Sequence, residues 1–535
     1  MARPPPGQLA NSTSNLGLQK PIAVEATWPK ASIVIGNPPF LGGNKKRGEL
    51  GDTYFEALDT VFKGRVPGGA DLVCYWFDKA RAAIETKGLG AAGLVATQSI
   101  RSGSNRAVLD AIRIKTRIFD AWSDEAWVNE GAAVRVSLVS FGWGDCCYLN
   151  GQRVEQINAE LGDSTACDMS LAKPLPENAG IAFQGPVKVG AFDIEGALAR
   201  KWLMQPNVNR QSNAVVLKPW VNGQDIAKRH SDTWIVDFGA AMDEHKAAEF
   251  ELPFSYLQSQ VKPQRLAQSD ESRKRRWWLH GRSGEDYRAA TSDVLRYIAT
   301  PRVAKHRYFV WLAAQVWPDS RLYAIAKSDD ITFGILSSRM HEAWSLANAS
   351  MHGVGNDPTY NAKSCFETFP FPDLTPDQAN QAMVGLVSGA TSKRPKAVER
   401  PVPTPPAPGL NRAGDLKTVA AKIATAAKHL NDRRENWLNP PEWTDRIPEV
   451  TPLGMTSSPY PDRTLAKPGH EKDLADRTLT KLYNQRPAWL DSAHKALDAT
   501  VAAAYGWADY TAAMPDEEIL KRLLALNLER AAYSG

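Results

Sequence analysis

The residues whose types and spacing most directly indicate chemistry are Asn37, Pro38, Pro39 and Phe40. They follow the apolar run 33–35, which is typical of a buried parallel strand. Ligand sites of open α/β sheets lie at the carboxyl ends of such strands. Two prolines remove two backbone donors, so nearby carbonyls stay available as acceptors beside the Asn37 amide oxygen. Acceptors next to an aromatic ring suit the binding of an exocyclic amino group on a flat heterocycle that stacks on the ring.

The tripeptide Asn-Pro-Pro recurs at residues 439–441, between polar segments and after no predicted strand. Asn and Pro are ordinary turn residues, so we interpret this second copy as a turn. A plain turn is the alternative for Asn37 too, but the preceding strand, Phe40 and the Gly-Gly loop at residues 42–43 favour a functional site there.

The elements that must position the first copy follow from hydrophobic periodicity. An apolar stripe predicts a helix over residues 71–85, with Asp71 either capping it or shaping the site. Further along we expect a strand over 91–97, a helix over 106–115 and, in near alternation, an antiparallel strand over 132–143. A short strand around residues 118–119 lies between the last two. This order predicts an α/β fold with one doubly wound sheet.

Composition excludes several classes of protein. A chain of 535 residues with 43% hydrophobic and 23% charged residues is ordinary for globular domains, of which we expect about three at ~150 residues each. No apolar run approaches the ~20 residues that span a bilayer, and residues 1–6 do not resemble a signal peptide. Five cysteines without a Cys-x-x-Cys pair predict reduced thiols, a cytoplasmic location and no metal site.

Changes in composition along the chain predict its organisation. Prolines in a row are typical of an extended spacer, and helical periodicity returns after them, near residues 415–438, 476–503 and 516–533. The predicted segments are an irregular N-terminus at 1–30, a catalytic α/β domain at 31–150, a mixed α+β domain at 190–375, a Pro-rich linker at 386–414 and a helical C-terminal region at 415–535.

Positive charge is concentrated in residues 262–307, which carry twelve Lys or Arg against five acidic residues, whereas the whole chain has a net charge of +5. Clustered cations release counterions when they neutralise phosphates, so this segment predicts nucleic-acid binding. A solvated charged face is the alternative. Interleaved aromatic residues could stack on bases, although core packing is the commoner role of such residues. The predicted DNA-binding residues are Arg273, Lys274, Arg275, Arg276, Arg302, Lys305 and Arg307.

Several stretches together resemble the MmeI-like adenine-specific DNA methyltransferases of restriction–modification systems. Asn-Pro-Pro-Phe is the specific motif, and the others are supporting. These stretches are residues 35–43, 70–77, 96–102, 122–139, 221–225, 276–278, 297–307 and 353–372. The resemblance implies a partial methyltransferase sheet, a target-recognition domain within 190–375 that binds double-stranded DNA, and a small helical C-terminal region.

The resemblance implies S-adenosylmethionine as cofactor, but one motif of the family is missing. Family members carry a Phe-x-Gly-x-Gly loop well upstream of Asn-Pro-Pro-Phe, and no Gly-x-Gly lies in the 36 residues before Asn37. The Gly-x-Gly at residues 353–355 matches the recognition region instead. We therefore assign no cofactor-binding residue, and expect the C-terminal portion of a larger enzyme or one whose other half comes from a second chain.

The expected reaction is methyl transfer to adenine N6 of a flipped base. Phe40 would stack on the base, the Asn37 oxygen and the Pro38 carbonyl would accept the N6 hydrogens, and Trp127, in the loop before the 132–143 strand, would supply a second stacking face. Two alternatives stay open: a non-catalytic DNA-binding specificity subunit or fragment, and an amino-methyltransferase that acts on RNA or protein.

Overall fold

The computed structural model describes residues 23–43, 45–129, 132–163, 167–352, 357–374 and 412–533. The predicted irregular N-terminus lies largely outside these ranges, as do residues 353–356 and most of the predicted linker. The chain divides into two units, Met1–Asp168 and Met169–Gly535.

A six-stranded sheet forms the centre of the first unit, in the order β1-β2-β4-β3-β5-β6. Its strands are β1 (Ile33–Gly36), β2 (Ala91–Thr97), β3 (Arg117–Asn129), β4 (Ala132–Gly142), β5 (Cys147–Leu149) and β6 (Gln152–Val154). Its helices are α1 (Lys46–Leu50), α2 (Asp52–Val61), α3 (Cys74–Glu85) and α4 (Gly103–Lys115).

This sheet contains both parallel and antiparallel pairs of strands. β1 and β2 are parallel and are joined by a helical crossover, as the prediction required. β4 is inserted between β2 and β3 and runs antiparallel to both, so the predicted antiparallel strand is confirmed. The predicted α/β class is also confirmed, since helices separate β1 from β2 and β2 from β3.

The hydrophobic core of the first unit lies on one face of the sheet. Leu94 of β2 and Phe141 of β4 pack there with residues of α3 and α4 such as Phe77 and Leu109. β1 differs from its neighbours because it is an edge strand of the described sheet. Its residues Ile33 and Ile35 are 58% and 84% exposed, which is unusual for isoleucine on a strand.

Two four-stranded sheets and two short hairpins form the β-structure of the second unit, with orders β13-β9-β10-β8, β12-β11-β14-β7, β15-β16 and β17-β18. The strands are β7 (Ala182–Gln184), β8 (Asp193–Glu195), β9 (Leu217–Val221), β10 (Thr233–Val236), β11 (Arg296–Pro301), β12 (Val310–Ala313), β13 (Trp317–Pro318), β14 (Leu322–Ile325), β15 (Met351–His352), β16 (Asp357–Pro358), β17 (Thr444–Ile447) and β18 (Arg463–Ala466).

Helices surround these sheets and dominate the C-terminal part. They are α5 (Gly196–Leu203), α6 (Gly223–Ala227), α7 (Glu244–Ala248), α8 (Glu251–Gln260), α9 (Lys262–Leu266), α10 (Glu271–Arg275), α11 (Glu285–Thr291), α12 (Asp330–Leu336), α13 (Arg339–Ala347), α14 (Arg412–Leu438), α15 (Glu471–Asp476), α16 (Leu479–Gln485), α17 (Ala488–Ala504) and α18 (Asp516–Tyr533).

The helical pattern expected near residues 476–503 is interrupted in the structure. Arg486 adopts a left-handed φ of 40° at the end of α16, and Pro487 precedes α17. Proline lacks the backbone N–H that a continuing helix needs, so one predicted helix becomes two. Within the described ranges, no helix combines the length and apolarity needed to cross a membrane.

Candidate active site

Asn37, Pro38, Pro39 and Phe40 lie at the carboxyl end of β1, where the sequence predicted them. The Asn37 side chain is exposed, Pro38 is buried and Phe40 is half-buried. A buried proline with fixed φ holds the turn in place, while the residues on either side of it remain accessible.

The acceptors of this turn have no hydrogen-bond partner among the described residues. Within the described ranges, neither the Asn37 amide nor the carbonyls of Pro38 and Pro39 make a hydrogen bond, and the Phe40 ring packs against no other aromatic ring. An exposed amide loses little by staying unpaired because water satisfies it. The turn therefore presents free acceptors beside an accessible aromatic face.

Asp71 connects this turn to the loop that follows β2. Its Oδ1 accepts the backbone N–H of Gly43 at 2.9 Å. Its Oδ2 accepts the Ser99 hydroxyl at 2.9 Å and the Asn105 amide at 2.8 Å, and Asn105 Oδ1 in turn accepts the Asp71 N–H at 2.7 Å. Hydrogen bonds to an ionised carboxylate are among the stronger ones in proteins, so this network fixes the loop after Phe40. Asp71 lies three residues before α3, and its carboxylate binds this loop rather than capping the helix.

Gly43 is required by a close approach of two loops. A Cβ at this position would lie 2.1 Å from the carbonyl oxygen of Gly69. On the same loop the Leu41 carbonyl accepts the backbone N–H of Leu72 at 2.8 Å. Only glycine lets the two backbones come this near, and the contact holds the segment that follows Phe40.

Lys46 anchors the other end of that loop. Its ammonium is fully buried and donates to the Gly68 carbonyl at 3.1 Å and to the Tyr75 hydroxyl at 3.2 Å. Burial lowers the pKa of Lys46, although the carboxylate of Asp71 acts in the opposite direction. Sequence reasoning missed Lys46 and Asn105, because their partners lie 22 to 34 residues away and no local pattern marks them.

The position of Trp127 differs from the expected loop. It lies on β3, opposite Val134 of β4, and is half-buried. β3 is far longer than the short strand predicted, because bulges after Ile118 and Trp122 let it stay paired with β4 over its length.

The basic segment is held to the core of the second unit by its tryptophans. Trp277 donates its indole N–H to Glu244 at 3.0 Å and Trp278 donates to the Met242 carbonyl at 2.9 Å, and both rings are buried. They are therefore core residues, and base stacking by either does not fit its position. The two tryptophans that the sequence places beside the arginines anchor the segment to the core, and the adjacent cations lie at the surface.

The cations next to these tryptophans face solvent to different degrees. Arg275 and Arg276 are exposed, whereas Arg273 and Lys274 are half-buried and paired with Asp270 at 3.1 Å and Glu271 at 2.7 Å. Pairs at such partly exposed positions contribute about 0–1 kcal/mol, so they compete weakly with a phosphate.

Arg302, Lys305 and Arg307 follow β11 but do not share one environment. Arg302 and Lys305 are exposed, and Lys305 donates to Asn484 at 2.8 Å. Arg307 is only 6% exposed and donates to the Thr300 hydroxyl and to two backbone carbonyls, those of Pro301 and Pro358. A guanidinium whose donors are used inside the fold is not accessible to a phosphate, so the expected DNA contact of Arg307 does not fit the structure.

Comparisons with known proteins bear on both units. Residues 12–149 match the family model described as the MmeI DNA-methyltransferase domain. The chain is similar to the solved structure of the type IIL restriction–modification enzyme MmeI in complex with DNA, with a TM-score of 0.61 and 18% identity. That similarity covers 94% of this chain and 57% of the MmeI chain, so the chain spans little more than half the length of that relative.

Two further results carry no structural argument. The type IIG restriction endonuclease BpuSI matches 89% of this chain and 54% of its own at 9% identity, with a TM-score of only 0.22. No curated protein matches the chain in sequence. The family resemblance read from the sequence is confirmed by the match of residues 12–149 to the model of the MmeI DNA-methyltransferase domain, and the chain has an MmeI-like fold.

Proposed function

We propose that the chain is the base-binding and DNA-recognition portion of a site-specific DNA adenine-N6 methyltransferase in a restriction–modification or phage-defence system. The observation that supports this most directly is the turn after β1. Its Asn37 amide and Pro38 carbonyl have no partner within the described ranges, and the Phe40 ring beside them is accessible.

The turn has the chemistry to bind an extruded adenine. Flipping the base costs a few kcal/mol, and stacking on Phe40 offsets part of that cost. The Asn37 oxygen and the Pro38 carbonyl then accept one N6 hydrogen each. Both acceptors draw electron density onto the nitrogen and orient its lone pair, so positioning and electrostatics carry the catalysis and no covalent nucleophile is needed.

S-adenosylmethionine would supply the electrophilic methyl group. The described residues fit the amine side of this reaction, because Asp71 fixes the loop after Phe40 through the Gly43 N–H and Ser99. We assign no residue to the cofactor itself, and Trp127 remains a proposed second stacking face for the base.

The open edge of β1 supports a second chain as partner. Ile33 and Ile35 are 58% and 84% exposed, and within the described sheet β1 pairs only with β2. Exposed, unpaired strand edges accept further strands, and apolar side chains there favour a covering element. A polypeptide that adds a strand beside β1 would complete the sheet next to Asn37, where the cofactor is expected.

Double-stranded DNA is the proposed substrate of the second unit. MmeI, whose fold this chain shares, was solved in complex with DNA. In this chain Arg273, Lys274, Arg275 and Arg276 form a cationic surface beside buried tryptophans, and Arg302 and Lys305 add exposed charge. Phosphate neutralisation by such residues predicts binding that weakens as salt rises.

The test is a methyl-transfer assay with labelled S-adenosylmethionine, on the chain alone and in its native assembly. Duplex DNA, RNA and protein are offered as acceptors, and nucleosides are then identified by mass spectrometry. We expect N6-methyladenine in duplex DNA. DNA binding without methylation in any assembly would favour a specificity subunit, and label in RNA or protein would contradict the proposed substrate. Tight cofactor binding by the chain alone would contradict the need for a partner.

A further inference from the structure

A polar pocket of about 550 Å3 opens beside the basic segment of the second unit. Four arginines line it: Arg265, Arg273, Arg276 and Arg282. Three carboxylates also line it, but Asp270 is already paired with Arg273 at 3.1 Å, and Glu285 and Asp286 are exposed, where solvent screens their charge. Solvent screens the exposed Arg276 and Arg282 in the same way, so the buried charge of this lining is that of Arg265.

Arg265 gives the pocket an unusual buried cation. Its side chain is 1% exposed, and one terminal nitrogen donates to the carbonyls of Lys188 and Leu279, both at 2.9 Å. Its Nε has no hydrogen-bond partner within the described ranges. An ionised group buried without a full set of partners is costly, and an anion would offset that cost. Burial, together with the nearby charge of Arg273, lowers the pKa of Arg265 to about 10, so it stays protonated at neutral pH.

The arginines at the rim are held only weakly. Arg276 approaches the Ser272 hydroxyl at 3.4 Å and Arg282 approaches the Gln184 amide oxygen at 3.3 Å. Both side chains are exposed. Hydrogen bonds of this length are weak, so both guanidinium groups can turn toward a ligand at little cost.

We propose that this pocket is a phosphate-binding site that takes one phosphate group of a nucleotide, with the buried Arg265 in its wall and the exposed Arg276 and Arg282 at its rim. Guanidinium groups match the geometry of phosphate oxygens, and convergent arginines give a stronger site than scattered surface charge. The proposal deepens the DNA-binding part of the proposed function and rests on it for a backbone phosphate as the source. A free nucleotide would present the same chemistry.

The test uses conservative changes in the full chain. Arg276→Gln and Arg282→Gln each remove one rim cation, while Arg275→Gln removes the same charge from a neighbouring exposed residue that does not line the pocket. Arg446→Gln, on the exposed part of β17, controls for overall charge. Affinity is measured by fluorescence anisotropy with a labelled 24-base-pair duplex over a salt series, and by calorimetry with deoxyadenosine monophosphate. Thermal unfolding checks each variant.

We expect Arg276→Gln and Arg282→Gln each to weaken duplex binding about tenfold, against two- to threefold for Arg275→Gln. If the two rim arginines share one phosphate, their double variant lowers the salt slope by about one rather than two. Loss of monophosphate binding with an unchanged duplex affinity would support the site and identify a free nucleotide as its source. Equal effects of all three substitutions on the duplex, without monophosphate binding, would overturn the proposal. If the wild type binds no duplex, the DNA proposal fails, and the monophosphate titration still decides whether the pocket binds phosphate.

Discussion

The two Asn-Pro-Pro copies share three residues and differ in almost everything that surrounds them. The copy at Asn37 follows a parallel strand, and its acceptors have no partner within the described ranges. The copy at Asn439 follows the long helix α14, and its acceptors are all used inside the second unit. Asn439 Oδ1 accepts from Arg229 at 2.9 Å, and the Pro440 carbonyl accepts from the Trp443 N–H at 3.0 Å.

Both copies of the tripeptide supply hydrogen-bond acceptors. Whether the fold itself binds these acceptors differs with the element that precedes the tripeptide. After α14, the acceptors of the second copy meet donors from the same turn and from the distant Arg229. At the carboxyl end of β1, no donor of the described residues reaches the acceptors, so they remain available to a ligand. Sequence context predicted that only the first copy follows a strand, which the structure confirms, and the second copy lies in a turn as expected.

The largest effect should come from removing the amide of the first copy. Asn37→Ala deletes one of two acceptors for the amine, and we expect methyl transfer in the competent assembly to fall by about 10²- to 10³-fold. Affinity for duplex DNA should stay nearly unchanged, because Asn37 is far from the cationic residues in sequence and belongs to the other unit. Initial rates and anisotropy measure the two quantities. A loss of DNA binding equal to the loss of rate would show that the role assigned to Asn37 is wrong.

The next effect concerns the network that holds the first turn. Asp71→Asn replaces a carboxylate oxygen with an NH2 group, so at least one of the donors from Gly43, Ser99 and Asn105 loses its acceptor. We expect a loss of about 2–3 kcal/mol in the stability of the first unit. We also expect kcat to fall about tenfold at saturating DNA with little change in KM, since a displaced loop misplaces Phe40 and Asn37. Urea unfolding and steady-state kinetics separate the two. A purely structural role would leave kcat unchanged per folded molecule.

A smaller effect is expected from Gly43→Ala. The added methyl group meets the Gly69 carbonyl at 2.1 Å, so the backbone of one loop must move, at a cost of about 1–3 kcal/mol. Gly48→Ala is the matched control, because Gly48 lies on α1 with no atom within 4 Å of an added Cβ. The control should be neutral or slightly stabilising, since alanine favours helix over glycine. Denaturant midpoints of the two variants compare them directly, and equal midpoints would contradict the close approach.

Prediction from sequence succeeded where the signal was local. An apolar run, two prolines and a ring placed the first turn, and periodicity located α3, β2 and α18 to within a few residues. It failed where the answer depends on distant partners. Charge alone marked Arg307 as a DNA contact. In the structure its guanidinium donates to backbone carbonyls, one of which, that of Pro358, lies 51 residues away in sequence. Aromatic residues beside arginines carried no signal for whether Trp277 packs inward.

The smallest effect should come from a substitution in the second Asn-Pro-Pro copy, which tests whether its acceptors have only a structural role. Asn439→Ala removes the hydrogen bonds to Arg229 and to Glu435, at 2.9 and 3.2 Å, but Arg229 keeps the Leu438 carbonyl at 2.9 Å. We expect the second unit to lose about 1 kcal/mol, because one acceptor of a partly buried cation is lost while another remains. The methylation rate per folded molecule should equal that of the wild type, since every acceptor lost here was internal. Thermal unfolding and initial rates check both values. A large fall in rate with unchanged stability would mean that the second turn also acts on substrate, and the preceding element would then no longer explain how the two copies differ.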